Sequence, residues 1–267
     1  MEYGLGLLYQ DPREIPGAVI LNEVPIGPGA LNHTVQGSAP DGSIFKGSVD
    51  LSEHFPPVRS QGSQGSCVAF SIGYYLRTYV EWQEQAWDVT DSTHQFSPAF
   101  IYNQINGGVD GGSFFYDAAL ILERMGCSTW AEWPYSQHEW TRWPTRTECL
   151  QAMPYRIGGH YWIYTGDPLG VDEMRQLLLN NTAVVLGIYC WSNFVYIENY
   201  NNIYCASERY GTNYGGHGVA IVGFDDSLMT NDGMGAFRVI NSWGTSWGDS
   251  GFCWITYQAV QDSFCSQ

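Results

Sequence analysis

Cys67 closes the polar run RSQGSQGS and opens an apolar stretch, VAFSIGYYLRTYVEW. Most cysteines are small buried hydrophobes, and such a residue would more naturally sit in mid-helix among apolar neighbours. The amino end of a helix is a different place. It carries roughly half a positive charge, which favours a thiolate, and the thiolate is the nucleophilic form. The glycines of QGSQGS let the backbone turn tightly and present amides beside the sulfur. The position favours a reactive thiol.

A thiolate needs a base that becomes its counter-ion, and six histidines are available. His33 lies in a Pro/Gly-rich segment, while His54, His94 and His138 stand in polar surroundings that keep them solvated. His160 (GGHYW) and His217 (GGHGVAIVGF) each follow a glycine pair. His217 leads directly into an apolar run, so it stands at the start of a buried strand and is favoured over His160. Asn241 could orient the ring. It ends another strand-like run and is followed by Trp243 and Trp247. Its amide can accept from a ring N–H without adding charge, and an indole over that bond excludes water. Alone, NSWGTSWGDSGF reads as a hairpin turn with surface tryptophans.

These residues are far apart in the chain, so the fold must assemble them. Phe70, Ile72, Tyr75, Leu76, Tyr79, Val80 and Trp82 predict a central helix that starts near Cys67. Further helices are predicted over 97–105, with Ser97 as cap and Pro98 in the first turn, over 114–126, closed by Gly126, and over 171–180. From about 182 onward the runs AVVLGIY, GVAIVGF, AFRVINSW and FCWITY predict strands separated by Gly, Asn and Asp turns. Helices followed by strands predict an α+β chain with two segregated halves and a cleft between them. Residues 1 to about 48, rich in Pro and Gly, are expected to form an extended arm with turns, neither helix nor regular strand.

Composition narrows the partners. Among 267 residues, 27 Asp and Glu face 11 Lys and Arg, for a net charge of -16, and Lys46 is the only lysine. Such a surface repels phosphate backbones and argues against nucleic acid and anionic membranes. Runs such as TAVVLGIYCW are too short to cross a bilayer, and the first residues do not look like a signal peptide. A low share of charged residues, 14%, with many small polar ones favours a secreted or extracellular protein. Seven cysteines leave one over in an oxidising compartment, and Cys67 is the odd one. No CxxC or CxxH spacing suggests zinc. Of the other six, Cys190 and Cys205 are the favoured disulfide pair, because both flank a polar turn-like segment in β-rich sequence.

QGSQGSCVAFS, GGHGVAIVGF and NSWGTSWGDSGF resemble, in order, the three active-site blocks of the papain family of cysteine peptidases. DGGSFFYDAALILERMG, followed by WPY, resembles the family's Gly-Gly cleft segment and the helix after it. The resemblance covers about 49–257 and is closest in style to prokaryotic members. It implies a two-lobed papain-like α+β fold, with a helical left lobe (about 60–150) and a β-barrel-like right lobe (about 155–267). Residues 49–267 would then be the peptidase domain, preceded by an arm or short prosegment over 1–48. The separation of Cys67 from His217 fits the roughly 130–150 residues usual there.

The resemblance also implies roles. Cys67 would be the nucleophile, His217 the general base and later acid, and Asn241 its orienter. Gln61 would form the oxyanion hole with the Cys67 backbone N–H. Gly111 and Gly112 would bind extended substrate backbone, with Ser113, Phe114, Gly218 and Trp243 as further substrate contacts. The implied activity is endopeptidase cleavage of protein or peptide substrates through an acyl-enzyme thioester, with no cofactor or metal. Three departures stand out: Gln64 replaces a bridging cysteine, Val68 an aromatic, and Gly216 an Asp or Asn. Without that bridge, packing and hydrogen bonds alone would hold the active-site loop.

Two other classes remain open, a non-catalytic binding or structural protein on the same scaffold and an acyl transfer other than hydrolysis. An ionised Cys67–His217 pair is expected, with the thiol well below the usual pKa near 8.5. The apolar clusters LGLLY and AVILNEV should prefer burial. The arm is therefore expected to pack along the body, with part of it in or beside the cleft.

Overall fold

The Cys67 helix forms as expected and lies at the centre of the structure, a computed structural model that describes residues 3–8, 18–22 and 47–262. It begins as α1 (Cys67–Ala69), widens into π-helical turns over Phe70–Arg77 and continues as α2 (Thr78–Gln85). Every residue from Gln64 to Glu81 is buried, which is why its apolar residues cover most of the circumference. α3 (Pro98–Ile105) has Ser97 as its cap, and α4 (Phe115–Arg124) ends before Gly126 at φ +77°. α5 (Arg146–Ala152) escaped the sequence reading, although Thr145 and Glu148 form a capping box. α6 (Pro168–Leu179) starts earlier than predicted because Asp167 caps it ahead of Pro168.

The sheet contains β1 (Ala18–Asn22), β2 (Ser48–Asp50), β3 (Gly159–Ile163), β4 (Val184–Trp191), β5 (Ile203–Tyr204), β6 (Asn213–Thr230), β7 (Gly233–Ile240) and β8 (Phe252–Thr256). Its order is β3-β1-β4-β6-β7-β8-β5, with β2 also on β6. The expected helical and β-rich parts are both present; the sheet is not closed into a barrel, since β3 and β5 do not pair. Two short helices, α7 (Ser192–Val195) and α8 (Tyr257–Gln261), follow β4 and β8. Buried side chains of the Cys67 helix and of β4, β6 and β7 share one core.

Two expectations are corrected. Ala18–Asn22 is a regular strand, paired antiparallel with both β3 and β4. AVILN is an apolar, β-branched run between Pro16 and Pro25, and the prolines bound the strand instead of preventing it. Cys190 and Cys205 are both free thiols, as are Cys67, Cys127, Cys149 and Cys253. Cys190 faces Cys253 and Cys67, whereas Cys205 lies beside Glu208 and Asp232. His33, Lys46, Cys265 and most of the arm lie outside the described residues.

Candidate active site

Strand register brings the expected base, His217, and its expected orienter, Asn241, together. His217 lies on β6 opposite Ile188 of β4, and Asn241 follows the end of β7, where Ile240 pairs with Ala220. The His217 Nε2 and Asn241 Oδ1 atoms are 2.7 Å apart. That oxygen also accepts from Ser242 N at 2.8 Å, which fixes the amide with its oxygen toward the ring. Tyr75, from the Cys67 helix, donates to the Asn241 carbonyl at 2.8 Å and ties helix to sheet. Trp243 lies 4.6 Å from the imidazole, centroid to centroid, and Phe194 and Trp247 pack against Trp243. These tryptophans are buried, at 3% and 0% exposure, so the surface-hairpin reading fails. The second ring nitrogen, His217 Nδ1, is buried with no hydrogen-bond partner among the described residues.

Cys67 is the first residue of α1, after Ser66. The backbone amides of Gly218, Gly6, Val68 and Leu7 surround its thiol and favour its charged form. Gln61 is fixed on several sides. Its N–H donates to Ser242 O at 2.8 Å, its carbonyl accepts from Tyr135 Oη at 2.7 Å, and its Oε1 accepts from Ser242 Oγ at 2.5 Å. Its Nε2 then reaches Gln64 O at 2.8 Å and Gly4 O at 3.0 Å.

Gly4 belongs to the arm, and residues 3–8 of the arm lie in the cleft. The Gly4 carbonyl also accepts from Trp243 Nε1 at 3.2 Å, and its N–H donates to Gly62 O at 3.0 Å. Tyr3 stacks on Trp243 with centroids 4.4 Å apart. Ser113 N donates to Gly6 O at 2.6 Å, Leu8 N to Ser113 O at 3.0 Å and Leu7 N to Gly216 O at 3.1 Å. Two glycines make this approach possible. A Cβ on Gly6 would fall 1.9 Å from Gly65 O, and one on Gly216 would fall 2.4 Å from Leu7 O. The departure at Gly216 thus has a local reason: a side chain there would collide with the arm.

The buried pair does not have the protonation expected from the sequence. Burial pushes the Cys67 thiol up to about 11, against the nearby backbone amides that lower it. Burial pushes His217 down to about 4, partly offset by its bond to Asn241. Both groups are neutral at neutral pH while the arm is in place. The ion-pair expectation neglected this loss of solvent.

The substrate-side residues divide. Ser113 makes the backbone pairing with the arm, and Gly112 lies against Gly6 O. Gly111 is exposed, and Phe114 is the half-buried N-cap residue of α4. Gly218 is buried against Phe115 and Ser71, next to Cys67, and walls no open space. His160 is elsewhere, on β3, with Nδ1 2.6 Å from Glu123 Oε1. The sequence reading gave no role to Ser242 or Tyr135, although they lie within the NSWGTSWGDSGF and WPY runs, nor to Phe194, which has no motif of its own. It also passed over Gly4 and Gly6, although alternate glycines in YGLGLL signal close backbone approach. Among the described residues no group of three or more His, Cys, Asp or Glu side chains could hold a metal, and no helix is long and apolar enough to cross a membrane.

The family model described as papain family cysteine protease matches residues 46–266. A cathepsin B-like CP2 from Giardia intestinalis is 26% identical over 81% of this chain and 72% of its own length. A cathepsin L-like proteinase from Fasciola hepatica is 26% identical over 73% of this chain, which spans 55% of that relative. Among solved structures, xylellain, a cysteine protease from Xylella fastidiosa, superposes with a TM-score of 0.71 at 22% identity, covering 98% of this chain and 92% of its own. That likeness extends to the fold.

Proposed function

The chain belongs to the papain family of cysteine proteases, and from that premise we propose that it cleaves peptide bonds internally through Cys67, His217 and Asn241. The observation that carries the reading is the His217–Asn241 bond, which leaves a buried, unpartnered Nδ1 on a ring beside the Cys67 helix. In the open cleft His217 takes the thiol proton, and the Cys67 sulfur attacks the scissile carbonyl carbon. The oxyanion is held by Gln61 Nε2 and the Cys67 N–H, a type of contact typically worth about 3–4 kcal/mol per donor. His217 then protonates the departing amine, and water, deprotonated by His217, hydrolyses the thioester. Protein or peptide is the substrate class, and the protein acts outside the cell, a reading supported by its low charge and near-absence of lysine.

In the same reading the arm is a short prosegment and the described state is latent. The arm's backbone amides at Gly6 and Leu7 lie beside the thiol. The Gly4 carbonyl meanwhile occupies the Gln61 donor. Residues 3–8 therefore stand in the way of a substrate at both groups. The test is labelling by a thiol-directed epoxide together with product analysis on a peptide mixture. Labelling lost in Cys67→Ala, with new free amino termini from the parent, is the expected result. A Gly6→Val variant that stays unlabelled would favour a binding scaffold, and labelling with amine-transferred or deamidated products would favour the other acyl transfer.

Latency should depend on pH. An open cleft would return His217 toward its ordinary 6.5, whereas the docked arm holds it near 4. The docked state therefore binds fewer protons, and falling pH favours opening between about 6.5 and 4. The thiol works in the opposite direction at high pH. Docking raises it from 9.0 to about 11, so the docked state keeps that proton longer, and rising pH favours opening there. Cys67 alkylation in the parent, divided by that in Gly6→Val, should rise by up to about tenfold per pH unit as pH falls through this acid window. A flat ratio from pH 7 to 4 would refute the pH linkage.

A further inference from the structure

The loop carrying Gln61 and Cys67 has lost the bridging cysteine of its family, and Gln64, in its place, does not supply a substitute tie. Gln64 Oε1 is buried without a partner among the described residues, and its Nε2 makes one long bond, 3.4 Å to Ser136 O. One residue on, a stronger link appears. Gly65 N donates to Asp110 Oδ1 at 2.8 Å across the cleft floor, and Tyr102 Oη donates to the same oxygen at 2.6 Å. Tyr102 is fully buried on α3, and burial together with Asp110 raises its phenol far above the ordinary range, so it stays protonated and remains a donor. Its oxygen in turn lies 3.4 Å from Gly112 N. Gly65 and Gly112 are packed closely, since a Cβ on Gly65 would lie 3.0 Å from Gly112 N.

We propose that Asp110 is a positioning residue that locks the nucleophile loop to the substrate-binding wall, taking the place of a covalent bridge. The inference rests on the peptidase reading above. A substrate must be gripped by the Gly112–Ser113 wall while its carbonyl meets Gln61 Nε2 and the Cys67 N–H. One carboxylate oxygen fixes the spacing of those two surfaces. Hydrogen bonds to a charged group contribute about 1.5–3 kcal/mol, and displacement of the walls is felt most when the oxyanion forms.

Asp110→Ala, made in the full-length chain and again with Gly6→Val to open the cleft, is therefore expected to lower kcat for a peptide by about 10- to 100-fold with little change in KM. Epoxide labelling of Cys67 should change much less, because the thiol and His217 are untouched. Asp110→Asn keeps an acceptor oxygen of the same shape and should recover activity to within about fivefold of the parent. A Gly6→Val protein that neither cleaves peptide nor labels would fail the peptidase reading itself. With an active parent, unchanged kcat in Asp110→Ala would overturn the proposal. So would Asp110→Asn losing as much as alanine, or equal losses of labelling and turnover with a lowered melting temperature.

Discussion

Replacing Gly6 with valine should raise peptide turnover and Cys67 labelling by about 30- to 100-fold at neutral pH. In the docked arm Gly6 is flush against Gly65, with no space for even one added carbon. The valine side chain cannot be accommodated by rotating a flexible neighbour, because the obstructing atoms are backbone. Docking must then give up the pairing around Gly6, including its carbonyl bond to Ser113 N and the adjoining Leu7–Gly216 bond. Two such bonds at about 1–1.5 kcal/mol each correspond to the stated range, since 1.4 kcal/mol is tenfold in an equilibrium. The substitution lies outside the peptidase core, so the melting temperature should fall only by the small amount that the docked segment contributes. Turnover at the parent rate, with the fold intact, would mean that residues 3–8 do not limit access.

Labelling should also change character. In the docked state a thiol near 11 and an imidazole near 4 are both neutral around pH 7. Water admitted by Gly6→Val removes the desolvation that displaced both, and the helix amino end then favours the thiolate. A pH profile with a plateau reaching below 8.5 in the variant, absent from the parent, is the corresponding signature.

The proposed catalytic pieces were readable because each sits at a boundary that local chemistry marks. Cys67 lies between a glycine-rich loop and an apolar helix, His217 at the head of a buried strand, and Asn241 at the end of another. The long apolar runs gave the central helix and β4, β6, β7 and β8 for the same reason: their periodicity records burial. What could not be read depends on distant pairing. AVILN is too short to distinguish a strand from a hydrophobic spot until β3 and β4 flank it. Cys190 and Cys205 are close in sequence, but β4 directs Cys190 toward Cys253 while Cys205 faces acidic neighbours. Asp110, Tyr102, Tyr135 and Ser242 became visible as supports only when the folded chain set them against Gly65, Gln61 and Asn241.

The arm has two attachments of different kinds, and truncation should separate them. Deleting residues 1–8 removes the segment over Cys67 but leaves β1, so activity should rise as in Gly6→Val with a nearly unchanged melting temperature. Deleting residues 1–22 also removes β1, which lies between β3 and β4 and pairs with β3 over all five residues from Ala18 to Asn22. That loss exposes the facing backbone of both neighbours, and unmet backbone groups are costly. At about 0.5–1.5 kcal/mol per bond, losing several bonds should remove about 3 kcal/mol or more. For a domain of this size, that corresponds to a melting temperature lower by about 6–12 °C. The strand thus serves as a tether that keeps the blocking segment at high effective concentration near the cleft, so the block can reverse without being lost. An unchanged melting temperature in the longer deletion would remove the tether, and parent-like turnover in the shorter one would remove the block. A fall in stability already complete on deleting 1–8 would place the anchorage in the cleft and leave β1 without a structural role.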